Sequence, residues 1–412
     1  MINQIHIQSF KSLLDYKLEL GRINVFIGEN GAGKSNILEA VATAGAAIDG
    51  ELGIEDLYAR GVRIAKPSIT LSSFLQKKPA QQVRFALTSS GHAPTTHEKS
   101  AQLALSMLPK GINDIEAGWE VEFSLKDIYK NIESEFHLRE DRPGPRDGKS
   151  LERLSLYLRE NDVEDIKYQL QRAAAISSMR LSIFGEQLKD FCIYNLSPLA
   201  LRGIQNTSRR TPLGINGENL DVFLESLSKD QIRELVRYSK FIPWFGNLLI
   251  DTEDELKFKG HKLGRSTSRL YFRDRFMRRG NNVFSAENAN EGILHILFYL
   301  ALFLSDKTPP VFAIDNIETA LNPQLCRELM KSLAALSKAH DKQVLITTHN
   351  PAILDGLDLH DDDQRLIVVY RNDDGHTVGK RIKLKPQVKG EPPYKLSELW
   401  MRGHLGGLPK TF

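Results

Sequence analysis

Cysteine is nearly absent from this chain of 412 residues: there are two, Cys192 and Cys326, far apart in sequence. Two distant thiols argue against a disulfide framework and suit a reducing compartment, so a cytoplasmic protein is expected. Long apolar runs are missing too. The most apolar stretch, residues 292–304, has 13 residues and includes His295. A bilayer-spanning helix needs roughly 20, so this one reads as buried and no membrane partner is expected. Charge of one sign is not in excess, the formal net charge being +3, and net charge alone therefore says little about partners. The chain also lacks the apolar poverty of a disordered protein, with 41% hydrophobic residues available for a core.

What is present is an ordered series of strand and helix signals. INQIHIQSF (2–10) alternates apolar and polar residues as a half-buried strand does, and RINVFIG (22–28) repeats the strand signal. GENGAGKSNILEAVATAGAA (28–47) is a glycine-rich loop running into a helix. SITLSSF (68–74), QVRFALT (82–88) and WEVEFSL (119–125) read as strands, and TSSGHAPTTHEKS (88–100) and residues 140–150 as flexible breaks. Helical spacing runs through residues 151–190 and 218–240. DELKFKG (254–260) and SRLYFRDRF (268–276) again read as strands, followed by the helix 291–304, the strand VFAID (311–315), a helix from Pro323 and the strand QVLITT (343–348). This order predicts one α/β core whose halves, residues 1–140 and 246–412, are split by a largely helical insertion over residues 141–245.

Gly28 to Ser35 fits G-x-x-x-x-G-K-[ST] and lies between a strand and a helix, the context that the chemistry requires. Gly28, Asn30, Gly31 and Gly33, with Asn36 at the helix start, would turn backbone N–H groups toward phosphate oxygens. Lys34 would reach the β- and γ-phosphates and the Ser35 hydroxyl would ligate Mg²⁺. An apolar strand ending in Asp315 supplies the acid expected on the opposite side of the metal. ATP and Mg²⁺ are thus the expected cofactors.

Taken together, GENGAGKSNILEA, ANEGILHILFYLAL, FAIDNIETALNP and ITTHNPAILDGLDL resemble the ABC-type ATPases of the RecF/SMC/OLD kind. Within that group the chain is similar to the compact ATP-binding subunits of anti-phage operons, of the PtuA-like type in Septu and retron systems. The resemblance implies an ABC-type P-loop head with a mixed sheet flanked by helices, and an ATP-sandwiched homodimer or larger assembly. It also implies a separately encoded effector of nuclease type. Asn290-Glu291-Gly292 resembles the signature segment that closes over a second subunit's ATP, with Asn290 where Ser is usual. His349 resembles the switch histidine that senses the γ-phosphate, and Phe10-Lys11 the segment that meets the nucleotide near its base. The glutamine of the family's Q-loop has three candidates, Gln76, Gln81 and Gln82. Trp400 lies in a C-terminal tail that reads as exposed.

The residue after Asp315 departs from the pattern, Asn316 standing where the resemblance implies a catalytic Glu. An amide orients water but accepts no proton near neutral pH, and a positioned general base is typically worth about 10² to 10⁴ in rate. Three outcomes stay open: Glu318 acts as the base, Asn316 orients water for slow hydrolysis, or ATP is held without turnover.

Residues 257–279 carry nine Lys or Arg against one Asp, interleaved with Tyr271, Phe272 and Phe276. This is either a solvated hairpin face or a binding stripe for nucleic acid or an acidic partner. A RecF-like DNA-binding ATPase and a non-hydrolysing scaffold are therefore alternatives to the effector-coupled ATPase. Arg371 and His376 match an R-x-x-x-x-H spacing, but flanking strand signals make that segment a hairpin turn. The acids Asp358, Asp361, Asp362 and Asp363 read as a solvated loop.

Overall fold

Period-two alternation makes β1 (Ile2–Phe10) and β2 (Leu13–Glu19) an antiparallel hairpin, and β3 (Ile23–Ile27), buried along its length, follows at once. A glycine loop opens α1 (Lys34–Asp49). The short helices α2 (Ile54–Ala59) and α3 (Pro67–Thr70) then lead to the strands β4 (Val83–Ser90), β5 (Ser100–Pro109) and β6 (Trp119–Phe123). Next come α4 (Ile183–Leu188), β7 (Ile193–Tyr194), α5 (Pro198–Leu201), α6 (Leu220–Glu225) and α7 (Lys229–Tyr238). They precede β8 (Phe245–Ile250), β9 (Leu270–Asp274) and β10 (Val283–Ser285). The apolar helix α8 (Glu291–Leu304) is followed by β11 (Val311–Ile314), α9 (Pro323–Ala339), β12 (Gln343–Thr347) and α10 (Pro351–Leu354). The hairpin β13 (Gln364–Arg371) and β14 (Thr377–Ile382), then α11 (Leu396–Met401), complete the order. This computed structural model describes residues 1–75, 77–90, 100–114, 116, 118–123, 182–205, 212–261, 264–384 and 395–407.

Among the described residues the strands form three sheets, in the orders β2-β1-β4-β5-β6, β10-β9-β8 and β14-β13-β3-β12-β11-β7. In the six-stranded sheet all neighbours are parallel except β14, which closes one edge antiparallel. β3 therefore sits between two strands from the far end of the chain. Its alternate side chains serve two cores: Phe26 packs with α1 and the five-stranded sheet, while Val25 and Ile27 pack with α8 and α9. The buried amide of Gln343 ties the layers together. Its Nε2 donates to Ile2 O and Gly21 O, each at 2.8 Å, and its Oε1 accepts the Ile2 N–H at 3.0 Å.

The mixed α/β architecture agrees with the expected class. The 371–376 segment is a turn between β13 and β14, as read from the flanking strands. Three local expectations are corrected. SITLSSF is not a strand: Pro67 begins a helical turn, and only Leu71 forms a bridge, to Phe10. DELKFKG is also a helical turn, because the Asp251 carboxylate accepts the N–H groups of Glu255 at 2.9 Å and Leu256 at 2.8 Å and so nucleates it. Trp400 is buried, at 4% exposure, because α11 packs its indole into the core.

Residues 141–181 and 206–211 of the expected insertion lie outside the described residues. Its described part contains α4 to α7, and also β7, which pairs with β11 at the edge of the six-stranded sheet. No helix among the described residues is long and apolar enough to cross a membrane. Neither cysteine forms a disulfide, and both are buried.

Candidate nucleotide site

β3, β12 and β11 are adjacent and parallel, so their C-terminal ends open on one side, where open α/β sheets bind ligands. From β3 comes the loop of residues 28–33. Gly28 has φ 147° and Gly33 has φ 107°. A Cβ on Gly28 would lie 2.0 Å from Val369 O, and one on Gly33 2.2 Å from Thr377 Oγ1, so both positions require glycine. The loop is braced by the β13–β14 hairpin: Arg371 Nε donates to Gly31 O at 2.9 Å, and Thr377 Oγ1 lies 2.8 Å from Ala32 O.

Lys34 folds back over the loop, its Nζ donating to Gly28 O at 2.8 Å and Glu29 O at 2.9 Å. Burial lowers its pKa, against the opposing pull of Asp315, Glu318 and Glu29. Ser35 Oγ faces the Asp315 carboxylate at 3.3 and 3.5 Å. Thr347 Oγ1, at the end of β12, donates to Asp315 Oδ1 and accepts the Asn316 N–H at 2.9 Å. Glu318 points into the same site. Its Oε1 accepts the His349 N–H at 2.8 Å, and its Oε2 is buried without a hydrogen-bond partner among the described residues. His349 is exposed. What burial it has, together with the Lys34 ammonium, holds its pKa below the ordinary imidazole value, against Glu318 and Asp315.

The hydroxyl of Ser35 and the carboxylate of Asp315 are hard oxygen donors on facing elements, which fits Mg²⁺. Among the described residues no group of three or more His, Cys, Asp or Glu could hold a metal by itself.

The structure thus brings Lys34, Ser35, Asp315, Glu318 and His349 together, with Asn316 beside them. Asn36 lies at the flank, its Nδ2 donating to Ser12 Oγ at 2.8 Å. Phe10 is in the core against Phe85, and Lys11 pairs with Glu39. Asn290, Glu291 and Gly292 make no hydrogen bond or ion pair with residues 28–36. Asn290 Oδ1 caps α8 by accepting the Gly292 N–H at 2.8 Å, and Glu291 pairs with Arg202. Gln76 lies outside the described residues, and Gln81 and Gln82 make no hydrogen bond to the site. Thr347, Arg371 and Glu39 lie in stretches that the sequence singles out, but their roles at this site do not follow from the motifs, and Thr377 carries no motif signal at all.

The basic segment divides in the structure. Lys257, Lys259 and Arg269 are paired with Asp254, Glu255 and Glu225. Residues 275–281, between β9 and β10, are all exposed, including Phe276 and Met277, and the side chains of Arg278 and Arg279 form no ion pair among the described residues. The Arg275 guanidinium lies over the Phe276 ring at 5.4 Å.

A strand, a glycine loop and a helix, with a strand-end aspartate facing the loop's serine, define a P-loop nucleotide-binding fold of the ATPase type. The chain belongs to a family of AAA domains whose profile matches residues 4–240. A second AAA-domain profile, named also for the AbiEii toxin of type IV toxin–antitoxin systems, matches residues 205–355. The chain resembles in fold the Smc head solved in complex with the C-winged helix domain of ScpA. The TM-score is 0.55 at 14% identity, over 93% of this chain and 98% of that one. Over 43 residues it is 54% identical to the uncharacterized protein MJECL10 of Methanocaldococcus jannaschii, a match that spans 10% of this chain and 20% of that protein's length. The chain therefore covers about a fifth of the curated relative it matches.

Proposed function

We propose that this chain is the ATP-binding subunit of a two-component system: two copies close over ATP and Mg²⁺, hydrolyse slowly, and regulate or scaffold a separately encoded effector in anti-phage defence. One observation carries the reading. Lys34, Ser35, Asp315, Glu318 and His349 converge at the ends of three adjacent strands, while the signature-like Asn290-Glu291-Gly292 sits in the same chain without a bond to them. Such a half-site is complete only when a second copy presents its α8 N-terminus to the phosphates.

In this reading the loop N–H groups and Lys34 bind the triphosphate, and Ser35 and Asp315 hold the metal, which when bound would offset charge on the phosphate oxygens. Asn316 orients the attacking water without taking its proton, and Glu318 fixes the backbone that presents His349. The anti-phage role is supported by sequence resemblance, and fold alone does not decide biology.

Mass measurement of the purified protein with and without ATP tests the reading. The wild type is expected to double its mass with ATP and Lys34→Ala to stay monomeric. Calorimetry that finds no ATP uptake, or uptake untouched by Lys34→Ala, would sink it. A second reading, a RecF-like ATPase that binds DNA, is favoured by the exposed arginine-rich loop at residues 275–281.

A further inference from the structure

Beside the phosphate loop a ring of hydrogen bonds is centred on a carboxylate for which the nucleotide motifs have no role. Glu39, in α1, is 2% exposed. Its oxygens are divided between Lys11 Nζ, from the turn between β1 and β2, and Arg63 Nε, from the segment after α2. The Arg63 backbone N–H adds a bond at 3.3 Å. Arg63 Nη2 donates to Asn36 Oδ1 at 3.2 Å, and Asn36 is tied in turn to Ser12 beside Thr377, which closes the ring against the loop.

One buried acid thus holds two cations from separate segments, which leaves one positive charge in excess. The two cations differ in access: the Lys11 side chain is 13% exposed and the Arg63 side chain 67%. The hydrogen bond to Glu39 holds the Arg63 pKa above the usual guanidinium value, and Asp315 adds to this, so the guanidinium lies within the field of the metal-side carboxylate. Long basic side chains lose rotamer entropy when fixed, and a buried acceptor that fixes them in advance reduces that cost in ligand binding.

We propose that Glu39 is a positioning residue for polyphosphate recognition: it holds Lys11 and Arg63 at the flank of the loop so that Arg63 presents its guanidinium to the phosphate chain. This deepens the nucleotide-binding reading and rests on it. A phosphate chain has more to offer Arg63 than a monophosphate has, so the effect falls on ATP rather than on AMP.

Calorimetry with ATP and with AMP on Glu39→Gln, Arg63→Ala and the double variant tests it. Glu39→Gln keeps the volume and an acceptor but removes the charge. It is expected to weaken ATP binding about tenfold and AMP binding by less than about twofold, and to have no further effect on ATP in the Arg63→Ala background. A purely structural role would lower Tm and shift both nucleotides alike, or add to Arg63→Ala; either result overturns the inference. Should Glu39→Gln not fold, Arg63→Ala decides alone, since an unchanged ATP-to-AMP affinity ratio overturns the proposal and a ratio compressed about tenfold supports it. Wild-type ATP binding with additive effects removes this inference only, whereas a wild type that binds no ATP removes the parent reading with it.

Discussion

Asn316 has φ 55°, in the left-handed region where Asn and Asp are several-fold enriched and longer side chains are not. Its N–H is held by Thr347, its carbonyl accepts from Thr319, and its amide has no hydrogen-bond partner among the described residues. The amide is therefore available to water, while the backbone itself favours a short polar side chain. Asp keeps that backbone and adds a base. Asn316→Asp is expected to raise phosphate release about 10- to 100-fold, at or below the lower limit of what a well-positioned general base supplies, because the Asp side chain is shorter than Glu. A rate left unchanged would show that a missing base does not limit the wild type, and a non-hydrolysing scaffold would then account for it better. Lys34, Ser35 and Asp315 are legible in the sequence because each lies at a fixed offset from a strand. Thr377 and Glu39 are not, since they act on groups hundreds or tens of residues away and spacing carries no trace of that.

Elements with a strong period and a clear boundary are the ones that sequence reveals: β1, β3, α1, α8, α9 and β12 all form where their patterns indicate. β2 and β5 pass unnoticed, and α3 and the 257–261 turn are misread, because local caps at Pro67 and Asp251 outweigh short apolar runs. α11 is the least legible element, and it joins two others. Ser397 binds the Asp355 carboxylate at 2.7 and 2.9 Å beside α10, which follows His349. A Cβ on Gly407, at φ 73°, would lie 2.7 Å from Val368 Cγ1 and 3.3 Å from Gly28 Cα. The tail therefore touches the first residue of the phosphate loop. Gly407→Val is expected to weaken ATP binding about 3- to 10-fold in calorimetry. An unchanged affinity would show that the loop tolerates displacement of the tail.

At the scale of the whole molecule, the question is what meets the 275–281 loop. Arg278 and Arg279 are exposed and form no ion pair among the described residues, and each phosphate contact contributes about 0.9 to the logarithmic salt slope of duplex DNA binding. If the loop carries DNA, replacing both with Glu lowers affinity and reduces that slope by about two in a salt titration. A slope that does not change shows that the loop makes no contact with the phosphate backbone. The placing of β3 has a different consequence. Both of its neighbours, β12 and β13, are made more than 300 residues after it. At translation rates of about 5 to 20 residues per second, the ribosome leaves the buried strand Ile23–Ile27 without its partners for roughly 15 to 65 s. During that interval the strand has two open edges, the arrangement that favours edge-to-edge pairing with neighbouring chains, so the strand order places the risk of misassembly before the last third of the chain is made.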